Sequence, residues 1–144
     1  MFKLSIDDRL SAWAALRTNL EQDHNPLQSI CRFWKSAPFV PYNHIIDPYD
    51  QNSWPTPWEI IAENRYDDFT KALMIAYTIK YTERFANSHV EIQTVIDKQD
   101  NLAYNIVFID DKWVLNYADN GPVDKEKLPR SFSVENLVVI STPR

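Results

Sequence analysis

The hydrophobic residues of this chain change period once, near Asn87. Before that point they recur every three or four residues, and after it they alternate. Leu10, Trp13, Leu16 and Leu20 fall on one helical face, and Leu27, Ile30, Cys31 and Trp34 fall on another. Phe69, Leu73, Ala76 and Lys80 follow the same spacing, flanked by Ala72, Tyr77 and Ile79. Beyond Asn87, Val90, Ile92, Thr94 and Ile96 alternate with Glu91, Gln93 and Val95, the pattern of a strand. Helices first and strands afterwards point to an α+β fold. N-terminal helices and one core helix are expected to pack on an antiparallel sheet of three to four strands. The 144 residues suit one domain, 1–144.

Local signals divide that domain into a helical lead-in (1–36), an irregular strap (37–57), helices (57–82) and a sheet (88–141). Ser5, with Asp8 three positions on, opens the first helix, and Asn25-Pro26 opens the second. Thr56-Pro57-Trp58-Glu59 combines a cap, a proline at the first position and a returning acid, starting a short helix to about residue 62. Asp67 or Asp68 then caps the core helix, which runs to about residue 82. Residues 97–101 form a turn, and 102–109, nearly all apolar, form a central strand. Asp110-Asp111 is a two-residue turn into a third strand, 112–117. Asn120-Gly121-Pro122 breaks that strand, and 137–141 form the last one.

The strap holds five of the nine prolines, which rules out a regular helix or central strand. It is also rich in aromatic residues. Rings between prolines make good anchors for a protein partner. Phe39, Tyr42, Tyr49, Trp54 and Trp58 are therefore candidate partner-binding residues.

Composition excludes several functions. One glycine cannot build a phosphate-cradling loop of the Walker or dinucleotide type. A net charge of −5 disfavours nucleic acid as primary ligand. The single cysteine, Cys31, can form neither an internal disulfide nor a cysteine-based zinc site alone. The first eight residues do not read as a signal peptide, and no run approaches the ~20 apolar residues of a membrane span. A soluble, non-secreted protein without a membrane partner or cofactor is expected.

Individual polar residues have ordinary explanations. Cys31 could pair with His24, His44 or His89, but it sits in an apolar helical stripe, unlike a reactive thiol. His44 with Asp47 and Asp50 could ligate a metal, yet supplies one imidazole in a proline-broken segment, so no metal is assigned. Asp97, Asp100, Asp110, Asp111 and Asp119 read as turn-makers. Asp67 and Asp68 read as helix-capping acids.

Two stretches carry a resemblance. Tyr66-Asp67-Asp68-Phe69-Thr70 opens the core helix, and Leu102-Ala103-Tyr104-Asn105-Ile106-Val107 with Ile109-Asp110-Asp111-Lys112-Trp113 forms a hairpin. Together they resemble the transglutaminase-like, papain-type family. Its members show Cys-x-Asp-hydrophobic-Ala, then His-Ala-Trp-x-Glu-Val and Ile-Asp-Gly-Lys-Trp, ending near an Asp. The resemblance retains Asp68 and puts Tyr66, Leu102 and Tyr117 at the nucleophile, base and orienting positions. A leucine accepts no proton, and a tyrosine of pKa ~10 is a poor nucleophile at neutral pH. The resemblance thus implies the scaffold without the catalyst: no enzyme, and a vestigial site at Tyr66, Asp68, Leu102 and Tyr117. Residues 54–59 beside 66–73 also resemble small uncharacterised proteins of tailed bacteriophages. The expected function is a phage structural or assembly protein, in the virion or host cytoplasm. It would bind other protein subunits, a homo-oligomer being one form. The alternatives are an intracellular inhibitor or decoy of a host protein, and a hydrolase or acyltransferase using Cys31 or His44.

Overall fold

The computed structural model describes residues 1–118 and 121–141. Asp119 and Asn120, expected in a turn and at a strand end, lie outside the described residues. Capping sets the helix starts. Ser5 Oγ accepts from the Asp8 amide at the head of α1 (Ile6–Leu20), and Pro26 opens α2 (Pro26–Lys35). Helix α3 (Pro57–Glu63) carries the full capping box. Thr56 Oγ1 accepts from the Glu59 amide at 3.2 Å, and Glu59 Oε1 accepts from the Thr56 amide at 3.0 Å. It ends at Asn64 in the left-handed region. Asp67 caps the core helix α4 (Asp68–Lys80), its Oδ1 accepting from the Thr70 amide at 2.8 Å.

The sheet has five antiparallel strands: β1 (Val90–Asp97), β2 (Leu102–Ile109), β3 (Trp113–Ala118), β4 (Gly121–Asp124) and β5 (Phe132–Ile140), ordered β4-β3-β2-β1-β5. One strand exceeds the expected three to four. Gly121-Pro122 does not stop the chain from pairing, because β4 is an edge strand and an edge tolerates proline. The glycine is required there. Its φ is +127°, and a Cβ would stand 2.1 Å from Gln28 Oε1 of α2. Strand β5 begins five residues before the expected 137. The turn between β2 and β3 is as expected. Asp110 and Asp111 have φ of 53° and 54°, the left-handed pair that matches strand twist.

Helix α4 carries no solvent stripe. Phe69, Thr70 and every residue from Ala72 to Ile79 are buried, because the sheet covers one side and α2 the other. Thr78 ties this core together. Its hydroxyl donates to the Met74 carbonyl and accepts from the indole N–H of Trp13 (2.9 Å) and Trp34 (3.1 Å). A second, smaller cluster of Val95, Ile106, Phe108 and Val114 lies apart from this core, with Tyr104, Tyr117 and Phe132 packed on it. The strap is tied down by backbone. The Val40 amide donates to the Tyr66 carbonyl, and the Tyr66 amide to the Pro38 carbonyl. No helix among the described residues is long and apolar enough to cross a membrane.

Candidate functional site

The N-terminus of α4 meets the β2–β3 hairpin at Asp68. Asp67 takes the capping role, which leaves the Asp68 side chain exposed and facing the sheet. Asp68 Oδ2 accepts from Asn105 of β2 twice, from its backbone amide at 2.9 Å and its Nδ2 at 3.0 Å. Asp68 Oδ1 accepts from Asn116 Nδ2 of β3 at 3.3 Å. Asn116 Nδ2 also donates to the Asn105 carbonyl at 2.8 Å. Behind them, Thr94 Oγ1 of β1 donates to Asn105 Oδ1 at 2.7 Å.

A bulge aims Asn116. Its φ is 64°, and the β3–β4 register shifts between Val114 and Ala118. Leu115 joins the helix-side core, and the next residue, Asn116, still reaches α4. Bulges commonly re-aim side chains beside sites, and asparagine tolerates the left-handed conformation well.

Two cavities flank Asp68. One, of about 200 Å³, lies between α2, α4 and β3 and is lined by Cys31, Lys35, Lys71, Tyr104, Asn116 and Tyr117, among others. The other, of about 220 Å³, lies under the strap and includes Tyr42, Ile46, Tyr49, Asp67, Phe69 and Asn105. Burial pushes the Cys31 thiol up to about 11, although a hydrogen bond with the Asn116 backbone and the Lys71 charge pull it down. No histidine lines its cavity. The His44 ring lies tilted beside Tyr42, their centroids 6.1 Å apart, and His89 Nε2 lies 2.9 Å from Glu91 Oε1. Asp47 Oδ1 accepts from the Tyr49 amide, and no group of three or more His, Cys, Asp or Glu side chains that could hold a metal occurs among the described residues.

The residues expected at the vestigial site separate, apart from Asp68. Tyr66 precedes the cap, so its ring turns into the core and packs on Phe2 at 5.8 Å and Trp34 at 5.5 Å, 1% exposed. Burial raises its pKa further. Leu102 is the first residue of β2, opposite Asp97 at the turn and 55% exposed. Tyr117 packs on Tyr104 and Phe132 in the second cluster, although its edge also lines the Cys31 cavity. Asp68, Asn105 and Asn116 hold the positions at which helix and hairpin meet. Asn105 and Asn116 were missed by sequence reasoning. The available signal was a polar residue within each of two otherwise apolar strands.

Of the strap aromatics, Phe39, Tyr42 and Tyr49 are exposed, at 71%, 69% and 72%. Trp54 packs on Phe69, and its Nε1 donates to the Asp47 carbonyl at 2.6 Å. Trp58 meets Trp13 and Tyr81 in T-shaped contacts and is 42% exposed.

A core helix whose N-terminus faces a β-hairpin is the layout of the transglutaminase-like, papain-type fold. Among solved structures, the chain is similar to calcium-bound LapG of Legionella pneumophila, with a TM-score of 0.70 and 15% identity over 94% of this chain and 77% of that one. That likeness is one of fold. No family model matches the chain, and no curated protein matches it.

Proposed function

We propose that this chain is a non-catalytic binding domain on a transglutaminase-like scaffold. One observation carries the reading: the N-terminus of the core helix presents a carboxylate, Asp68, held by two amides, Asn105 and Asn116. Thiol chemistry in this layout needs a cysteine, a base within hydrogen-bond reach and a group orienting the base. An asparagine amide takes up no proton near neutral pH. The hydrogen bonds instead fasten helix to hairpin.

The binding surface is the cleft beneath the strap. Exposed Tyr42 and Tyr49 flank it, and Asp67 and Asp68 lie along it. Neither carboxylate has an ion-pair partner among the described residues. Aromatic faces beside unpaired carboxylates suit a protein segment that presents a lysine or arginine. LapG is described bound to calcium. The residues here do not fit that ion. Calcium takes about six to eight oxygen ligands, and no group of three or more His, Cys, Asp or Glu side chains that could gather them occurs among the described residues.

The finer assignment we propose is a phage structural or assembly subunit, supported by the sequence resemblance at residues 54–59 and 66–73. Quantitative mass spectrometry of purified particles tests it. A fixed copy number supports a virion component, and absence from particles removes that assignment. Capture of a cognate subunit that is lost in Tyr42→Ala/Tyr49→Ala tests the binding reading itself. Robust amide hydrolysis lost in Asp68→Ala would overturn it.

A further inference from the structure

We infer that this chain pairs with a second copy of itself through the free edge of β5. The two edges of the sheet differ. Strand β4 is four residues long and carries Pro122, both devices that block edge pairing. Strand β5 is nine residues long and is paired on one side only, with β1. Its first half is protected. The register with β1 shifts so that Asn136 faces Thr94 and Val134 faces Val95, leaving Glu135 as a bulge and as the strand's one charge. From Asn136 to Ile140 there is no charge, no proline and no bulge. Such a segment offers unpaired backbone groups to any extended chain.

Self-complementarity selects the occupant. Val138 and Ile140 belong to the helix-side core, whereas Leu137 and Val139, each 48% exposed, point to the other face. A two-fold axis through Val138 places Leu137 of one copy opposite Val139 of the other, twice, on that same face. Residues opposite each other in an antiparallel pair share a face and stand about 5 Å apart. Each exposed apolar side chain thereby gains an apolar neighbour. The chain carries a net charge of −5, so two copies repel, but the pairing segment is neutral and brings no like charges together. The interface is isologous and closes as a dimer with one continuous ten-stranded sheet. It is separate from the strap and independent of the function proposed above.

Sedimentation equilibrium across a dilution series tests the proposal. The wild-type chain is expected to approach twice the mass of one chain as concentration rises. Leu137→Lys/Val139→Lys, at two solvent-facing positions, is expected to keep its circular dichroism spectrum and lose the double-mass species. A mixture of Leu137→Cys and Val139→Cys chains is expected to form a disulfide between 137 of one copy and 139 of the other, identified by peptide mass spectrometry. A wild-type chain that stays at single mass throughout overturns the inference. So does a dimer that survives the double lysine substitution, or one that yields no 137–139 link.

Discussion

One oxygen of Asp68 accepts both the backbone amide and the side-chain amide of Asn105, 37 residues further along the chain. This pair joins the first turn of α4 to β2. Hydrogen bonds to a charged group contribute ~1.5–3 kcal/mol when shielded, and solvent weakens them at an exposed site. Asp68→Ala should therefore lower unfolding stability by about 1–2 kcal/mol. Urea denaturation checks this through a lower midpoint at unchanged slope. An unchanged midpoint would show that the lock contributes nothing.

Asp68 and Asn105 are in hydrogen-bond contact where helix meets hairpin, so a thiol and an imidazole placed on this pair should couple. In Asp68→Cys/Asn105→His, the new thiol lies at a helix N-terminus beside the ring. Its pKa should fall well below the ordinary ~8.5. Alkylation rate against pH reads it directly, and an unshifted thiol would detach these residues from the catalytic layout.

Cys31 should behave oppositely. Burial holds its thiol at about 11, so alkylation of the folded chain should be slow at neutral pH and rise only in strong alkali. The sign for stability follows. The folded state keeps its proton above the ordinary thiol range, so this contribution is complete below that range and disappears as pH rises through about 11. A Cys31 titrating near neutrality would revive the reading of a reactive cysteine.

Thr78 satisfies two buried indole groups with one hydroxyl. Thr78→Val keeps the shape and leaves both N–H groups unpaired, at about 1–3 kcal/mol each. A loss of about 2–4 kcal/mol is expected, with Thr78→Ser retaining most of the stability. Thermal or urea unfolding measures the difference.

The strap aromatics should separate into two kinds. Tyr42→Ala and Tyr49→Ala remove exposed rings and should leave stability within about 0.5 kcal/mol while weakening partner capture. Trp54→Ala removes the contact with Phe69 and the bond to Asp47, and should cost about 2 kcal/mol in stability. Parallel unfolding and capture assays on the three variants distinguish them. Equal destabilisation by all three would make the whole strap core.

What the sequence determined by itself was local. The change of period at Asn87, the caps at Ser5, Thr56 and Asp67, and the Asp110-Asp111 turn act over a few residues, and each appears at or beside its expected place. Strand β4 escaped because Gly121-Pro122 ends a central strand but not an edge one, and edge position is a property of the assembled sheet. Tertiary structure alone decided which side chains meet. Asp67 takes the cap, so Tyr66 turns inward and Asp68 outward. Asn116, left-handed and one residue before Tyr117, reaches Asp68 of the helix. Which of several neighbouring residues meets the helix is not written in a motif. In a strand with a two-residue period, a shift of one decides which face a side chain occupies.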